Sequence, residues 1–153
     1  MLKDGLAEKM VSELHRRVVE RSYGLVECYL HFIRNVASSD DGHRRIANTP
    51  QSITILLDVS ALAASRHQPD IASGVMEVIH QLCGAPCSAS LLSHASLVPY
   101  IVKTALEGTE YTQLLALNSL LSLLDSRSGC CQFHSTVLMQ AYIGAASHEP
   151  RQR

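Results

Sequence analysis

The chain repeats itself, and no other feature of its sequence constrains the fold as strongly. The stretch YLHFIRNVASSDDGHRRIANT, residues 29–49, lies over VMEVIHQLCGAPCSASLLSHA at an offset of 46 residues. That segment lies over ALNSLLSLLDSRSGCCQFHST at a further offset of 41. Leu30, Met76 and Leu117 then share a column, as do Ile33, Ile79 and Leu120, and Val36, Leu82 and Leu123. Past the loop, Ile46, Leu92 and Phe133 coincide. Polar columns recur as well: His31 with Glu77 and Asn118, and Asn35 with Gln81 and Ser122. Apolar positions three apart mark one face of a helix, and polar positions four apart mark another. After each loop comes a short turn and then a longer apolar helix: PQSITILLDV, SLVPYIVKTAL and TVLMQAYIGAA. Any two amphipathic helices can be slid into register. Three segments that share helix, loop, turn and helix in one order are harder to dismiss. A period of this length, with two long helices and a short one, is that of stacked helical repeats.

Helix boundaries follow from stop and start signals. Leu2, Leu6, Met10, Leu14 and Val18 form a stripe at four-residue steps, interrupted at Tyr23-Gly24. A helix is predicted over Leu25 to Ser38, ended by Ser-Ser-Asp-Asp-Gly, with Gly42 taking positive φ. Thr49 is expected to cap, and Pro50 to open, a helix running to about Ser65. Asp70 is expected to cap a helix over Ile71 to Cys83. A short turn at Ala89 to Ser93 precedes a helix over Leu97 to Glu107, and Thr109 caps one over Tyr111 to Leu124. A last helix is predicted over Thr136 to Ala146. No alternating strands joined by Asn-Gly turns are present.

The segment FIRNVASSDDGHRRIA resembles the end of an armadillo repeat's third helix and the short first helix after it. In that family an Asn-Leu-Ala-Ser-like ending leads through a polar glycine loop. The resemblance to armadillo and HEAT repeats extends over about residues 5–146. It implies an all-α, right-handed α-solenoid of about three armadillo-like repeats within a domain spanning 1–146. The units fall at approximately 5–47, 48–93 and 94–134, with a partial one at 135–146, and 147–153 forms a disordered tail. It also implies that the third helices, 25–38, 71–83 and 111–124, line a concave face that holds a partner. The residues it places there are Glu27, His31, Asn35, Glu77, Gln81, Asn118 and Ser122. Asn and Gln amides suit that role because each both donates to and accepts from a peptide backbone. Arg34, Arg44 and Arg45 are candidates for contacts with acidic residues of a partner. His31 stands where nuclear-import armadillo adaptors carry a Trp, and this chain has no Trp, so the resemblance carries over no Trp-Asn ladder.

Composition narrows the function. The net charge of −1 over 153 residues argues against a nucleic-acid binder held by phosphate contacts. Only 18% of residues are charged, which leaves neutral surface for contact with proteins. HRRVVER, the most basic stretch, reads as a solvated helix face. No run approaches the ~20 apolar residues of a membrane span, and MLKDGLAEKM has no secretory apolar core. Five cysteines, at 28, 83, 87, 130 and 131, therefore read as reduced thiols of a cytoplasmic or nuclear protein.

Chemistry is not expected. Cys130 and Cys131 before His134 make a poor zinc pair, because adjacent side chains diverge on a helix. Cys83 and Cys87 flank a Gly-Ala-Pro break and read as packing or loop residues. Phosphate loops and His-Glu-x-x-His are absent. Asp40 and Asp41 read as solvated or capping residues, and the histidines as mostly surface or boundary groups. No catalytic residue, metal or cofactor is assigned. The expected function is a non-catalytic scaffold that binds segments of a protein partner along the concave face, with no nucleic acid or membrane partner. The alternative is a fragment of a longer solenoid that stacks on neighbouring repeats or self-associates through exposed end repeats.

Overall fold

The structure, a computed structural model, describes residues 5–85 and 88–125. All regular structure among them is helical: α1 (Leu6–Val19), α2 (Val26–Ala37), α3 (Asp40–Ala47), α4 (Pro50–Ser65), α5 (Pro69–Cys83), α6 (Leu97–Glu107) and α7 (Glu110–Asp125). Single 3-10 turns at Tyr23–Leu25 and Ser88–Ser93 precede α2 and α6. The expected helix over 136–146 and the tail lie outside the described residues.

Periodicity accounts for α1. Ala7, Val11, Leu14 and Val18 recur every three or four residues and are buried. The other face carries Glu13, Arg16, Arg17 and Glu20 in ion pairs one helical turn apart. The two arginines hold the Glu13 carboxyl down at about 2 by hydrogen bonding to it. The basic stretch is therefore neutralised within its own helix.

Helices α1 and α4 end in the same way. Arg21 (φ 58°) and His67 (φ 54°) adopt the left-handed conformation, and they stand 46 residues apart. Behind each, a backbone N–H reaches five residues back: Ser22 to the Arg17 carbonyl at 2.9 Å and Gln68 to the Ala63 carbonyl at 2.9 Å. This is the Schellman closure, usually built on glycine. Neither site has one, so the sequence gives no signal of it.

Long-range packing puts α2 against α5 and α5 against α7, with α1 on α2 and α4, α4 on α5, and α6 on α7. Leu30 meets Gly74, Arg34 pairs with Glu77 and Ser38 with Gln81, so α2 and α5 run parallel in fixed register. The core between the layers includes Leu14, Ile33, Leu56, Met76, Ile79, Leu82 and Ile101, all fully buried. Each such side chain contributes roughly 1.5–3 kcal/mol. Helix α3 and the Ser88–Ser93 turn close one edge through Ile46 and Leu91.

Several local expectations are corrected. Gly42 does not terminate a helix with positive φ. It lies buried inside α3, whose N-cap Ser39 accepts its N–H. A side chain at 42 would collide with the Val36 carbonyl, which is why glycine stands there. Thr49 does not cap α4, because its hydroxyl donates to the Arg45 carbonyl at 2.8 Å. Asp70 lies in the first turn of α5 and caps nothing, the N-cap being Gln68. Thr109 does receive the Thr112 N–H at 3.4 Å. His43 is buried, its Nε2 at 2.8 Å from the Leu82 carbonyl, an exception to the surface or boundary positions expected of most histidines. In the aligned columns Leu30 and Met76 are buried but Leu117 is exposed, since no described element covers that side of α7.

Gly42→Ala should destabilise the fold by about 1–3 kcal/mol despite the higher helix propensity of alanine, because the obstructing atom is backbone. Urea denaturation followed by circular dichroism measures it. A neutral or stabilising result would mean that α3 can shift freely against α2.

Candidate functional site

A groove of about 650 Å³ opens where α2, α5 and α7 lie side by side. Tyr23, Glu27, His31 and Arg34 line it from the α2 side, Asp70 and Glu77 from α5, and Tyr111 from α7. Register places these groups. The glycine at 74 leaves room for Leu30, and that close approach brings the next turn of α2 level with Glu77.

A polar chain crosses the floor. The Arg34 guanidinium donates to Glu77 at 2.5 Å and to His31 Nδ1 at 2.8 Å. That second bond requires His31 to carry its proton on Nε2. Tyr111 donates its hydroxyl to the other Glu77 oxygen at 2.8 Å, linking α7 to α5. Accepting from Tyr111 favours its protonated form, so the tyrosine pKa is raised. The Arg34–Glu77 pair is partly exposed and contributes roughly 1 kcal/mol or less.

Glu27 and Asp70 are different. Both are exposed, and neither carboxylate has a side-chain hydrogen bond or ion pair among the described residues. With Glu77 they give the groove three carboxylates against one guanidinium.

The residues expected on the concave face divide accordingly. Glu27, His31 and Glu77 line the groove together. Asn35 and Gln81 are exposed but do not line it, and Gln81 accepts from Ser38 at 3.5 Å. Asn118 is exposed, and Ser122 donates to its carbonyl within α7 at 3.0 Å, so that hydroxyl is turned to its own helix. Arg34 is engaged by Glu77 and His31. Arg45 pairs with Asp41 at 3.3 Å, and Arg44 is exposed on α3 away from the groove. Sequence reasoning missed Tyr23, Asp70 and Tyr111. Their sequence signal is only that they sit at or near the N-terminal ends of α2, α5 and α7, one after another.

A second polar cluster lies between α5 and α7, with Ser119 and Cys83 buried and His80 partly buried. Ser119 donates to the Leu115 carbonyl at 2.7 Å, and His80 Nδ1 lies at 3.2 Å from its oxygen. Cys83 meets the same hydroxyl, and burial pushes its thiol up to about 12. A thiol so strongly protonated is no nucleophile at neutral pH. Cys28 is exposed, while Cys87, Cys130, Cys131 and His134 lie outside the described residues. No group of three or more His, Cys, Asp or Glu able to hold a metal ion occurs among the described residues. No described helix is long and apolar enough to cross a membrane. No protein-family model, no curated protein and no solved structure matches this chain.

Burial lowers the His80 pKa, because it disfavours the imidazolium. The unfolded chain therefore binds this proton more readily. Stability is complete above the unfolded value of about 6.5 and falls as pH drops from there towards the depressed folded value. Unfolding free energy measured from pH 7.5 to 5 should fall on acidification, and His80→Gln should flatten that dependence. An unchanged slope in the variant would assign the acid sensitivity to other groups.

Proposed function

We propose that the chain is an armadillo-like α-solenoid of about three repeats that acts as a non-catalytic protein-interaction module. In this reading α2, α5 and α7 are the third helices of successive units, and an extended segment of a partner lies across them in the groove. The observation that carries it is the 650 Å³ groove shared by three parallel-stacked helices and lined by groups from all of them. The common 46-residue spacing of the left-handed residues Arg21 and His67 supports the repeat.

Charge narrows the partner. Glu27 and Asp70 are unengaged carboxylates facing one groove, with Tyr23 and Tyr111 beside them. Carboxylate and aromatic surface together favour a cationic side chain, Lys or Arg, on the bound segment. Three helices at 8–10 Å spacing span roughly 20 Å, the reach of about six extended residues. Arg34 is held by Glu77 and His31, so it orders the floor rather than recruiting acidic residues.

The test is an array of octapeptides with and without Lys or Arg, followed by fluorescence anisotropy on the binders. Cationic peptides should bind, and Glu27→Lys combined with Asp70→Lys should weaken them by at least about tenfold, ~1.4 kcal/mol, at unchanged helicity. Equal binding of neutral peptides, or full binding by the double variant, would place the interface outside this groove.

A further inference from the structure

The middle helix of the row is buried on two sides, and each outer helix is buried on one. On α5, Ile71, Val75 and Val78 are buried, whereas at the equivalent positions Leu25, in the turn before α2, is 48% exposed and Tyr29 and Phe32 of α2 are only partly buried against the core. On the opposite side of α5, Met76 and Cys83 are buried and His80 reaches Ser119 of α7. The counterparts of these three on α7 are Leu117, Leu121 and Leu124.

These leucines are 51%, 63% and 40% exposed, and Leu114, one turn earlier, is 57% exposed. The four recur at the 3-4-3 spacing of a helix-packing seam. Among the described residues they leave roughly 400 Å² of apolar surface, within the range of the largest apolar patch on a monomer, which is often functional. The seam of α7 and the side of α2 that carries Cys28, next to exposed Leu25, occupy the positions by which α2 meets α5 and α5 meets α7.

We propose that the leucine seam of α7 docks on the outer face of α2 of a second copy, in the register by which α2 docks on α5. Phe32 of the second copy then sits between Leu121 and Leu124, as Ser119 sits between His80 and Cys83. Cys28 of the second copy faces Leu117, as Gly74 faces Leu30. Such an interface is head-to-tail and leaves a free seam at the far end, so assembly is open rather than a closed pair. The small apolar area makes it concentration-dependent rather than obligate. The proposal uses the equivalence of α2, α5 and α7 but not the groove's ligand. A chain that binds cationic peptides and stays monomeric would overturn this proposal alone.

The register gives a sharp test. A Cβ built on Gly74 lies 3.7 Å from the Leu30 Cβ, within the range of a disulfide. Leu117→Cys, made with Cys87, Cys130 and Cys131 changed to Ser, should therefore link to native Cys28 of another copy on oxidation with diamide. Within one chain α5 separates the two positions. A ladder of dimers, trimers and higher species on a non-reducing gel, abolished by Cys28→Ser, is the expected result. Sedimentation velocity of the unmodified full chain, in a series reaching about 100 μM, should show mass rising past the dimer. Leu121→Glu should shift that association at least about tenfold towards monomer. Three results would overturn the proposal: a mass that stops at dimer, which indicates seam-to-seam pairing; a monomer at every concentration; or no disulfide ladder. A full chain that is monomeric but associates once cut after Asp125 would assign the seam to the chain's own 126–153 segment, and would overturn it equally.

Discussion

The missing side chain at Gly74 governs the arrangement of the helices around it. A glycine in mid-helix costs roughly 1 kcal/mol relative to alanine, so its presence in α5 requires a compensating contact. Leu30 supplies it, entering the space that a Cβ would occupy. With α2 and α5 that close, Arg34 reaches Glu77, Ser38 reaches Gln81, and Glu77 keeps one oxygen for Tyr111 of α7. A wider separation would break this chain at its first link and leave the groove without a defined floor.

The two interfaces of the row solve the same problem with different chemistry. Between α2 and α5 the rim is charged and partly wet, and the interior is Leu30 against bare backbone. Between α5 and α7 a buried serine and a buried thiol share hydrogen bonds with a partly buried histidine. Buried polar groups need partners, so this second interface is more demanding of geometry than the first. It also withdraws the one described buried cysteine from reactivity.

Helices and their faces were legible in the sequence because burial follows a 3.6-residue period that composition cannot hide. The apolar faces of α2 and α5 fall where the pattern puts them, and so do Leu14 and Val18 of α1, but the first half of the α1 stripe runs through Ala7 and Val11, one position on from the expected Leu6 and Met10, which are only partly buried. Local hydrogen bonding was less legible. Thr49 and Asp70 look like caps, but a threonine hydroxyl can equally turn back to the carbonyl four residues earlier, and nothing local decides which. Gly42 reads as a stop because glycines usually end helices, whereas here it answers to a neighbouring carbonyl from α2. His43 reads as a surface or boundary group because histidine usually is. Its partner, the Leu82 carbonyl, is 39 residues away and visible only after folding. The groove was half legible: Glu27, His31 and Glu77 follow from helix phase, but Tyr23, Asp70 and Tyr111 depend on how the helix starts line up.

The second offset is five residues shorter than the first, and the difference equals that between α4, with 16 residues, and α6, with 11. The truncated α6 covers α4 poorly, and a cleft of about 630 Å³ is left beside Ser60, Ala61, Ala64 and Tyr100. Water can approach α4 along that flank, whereas its other side is sealed against α1 and α5. Local opening begins where packing is thinnest. The late turns of α4 are therefore the segment from which deuterium uptake would spread into an otherwise slow-exchanging interior.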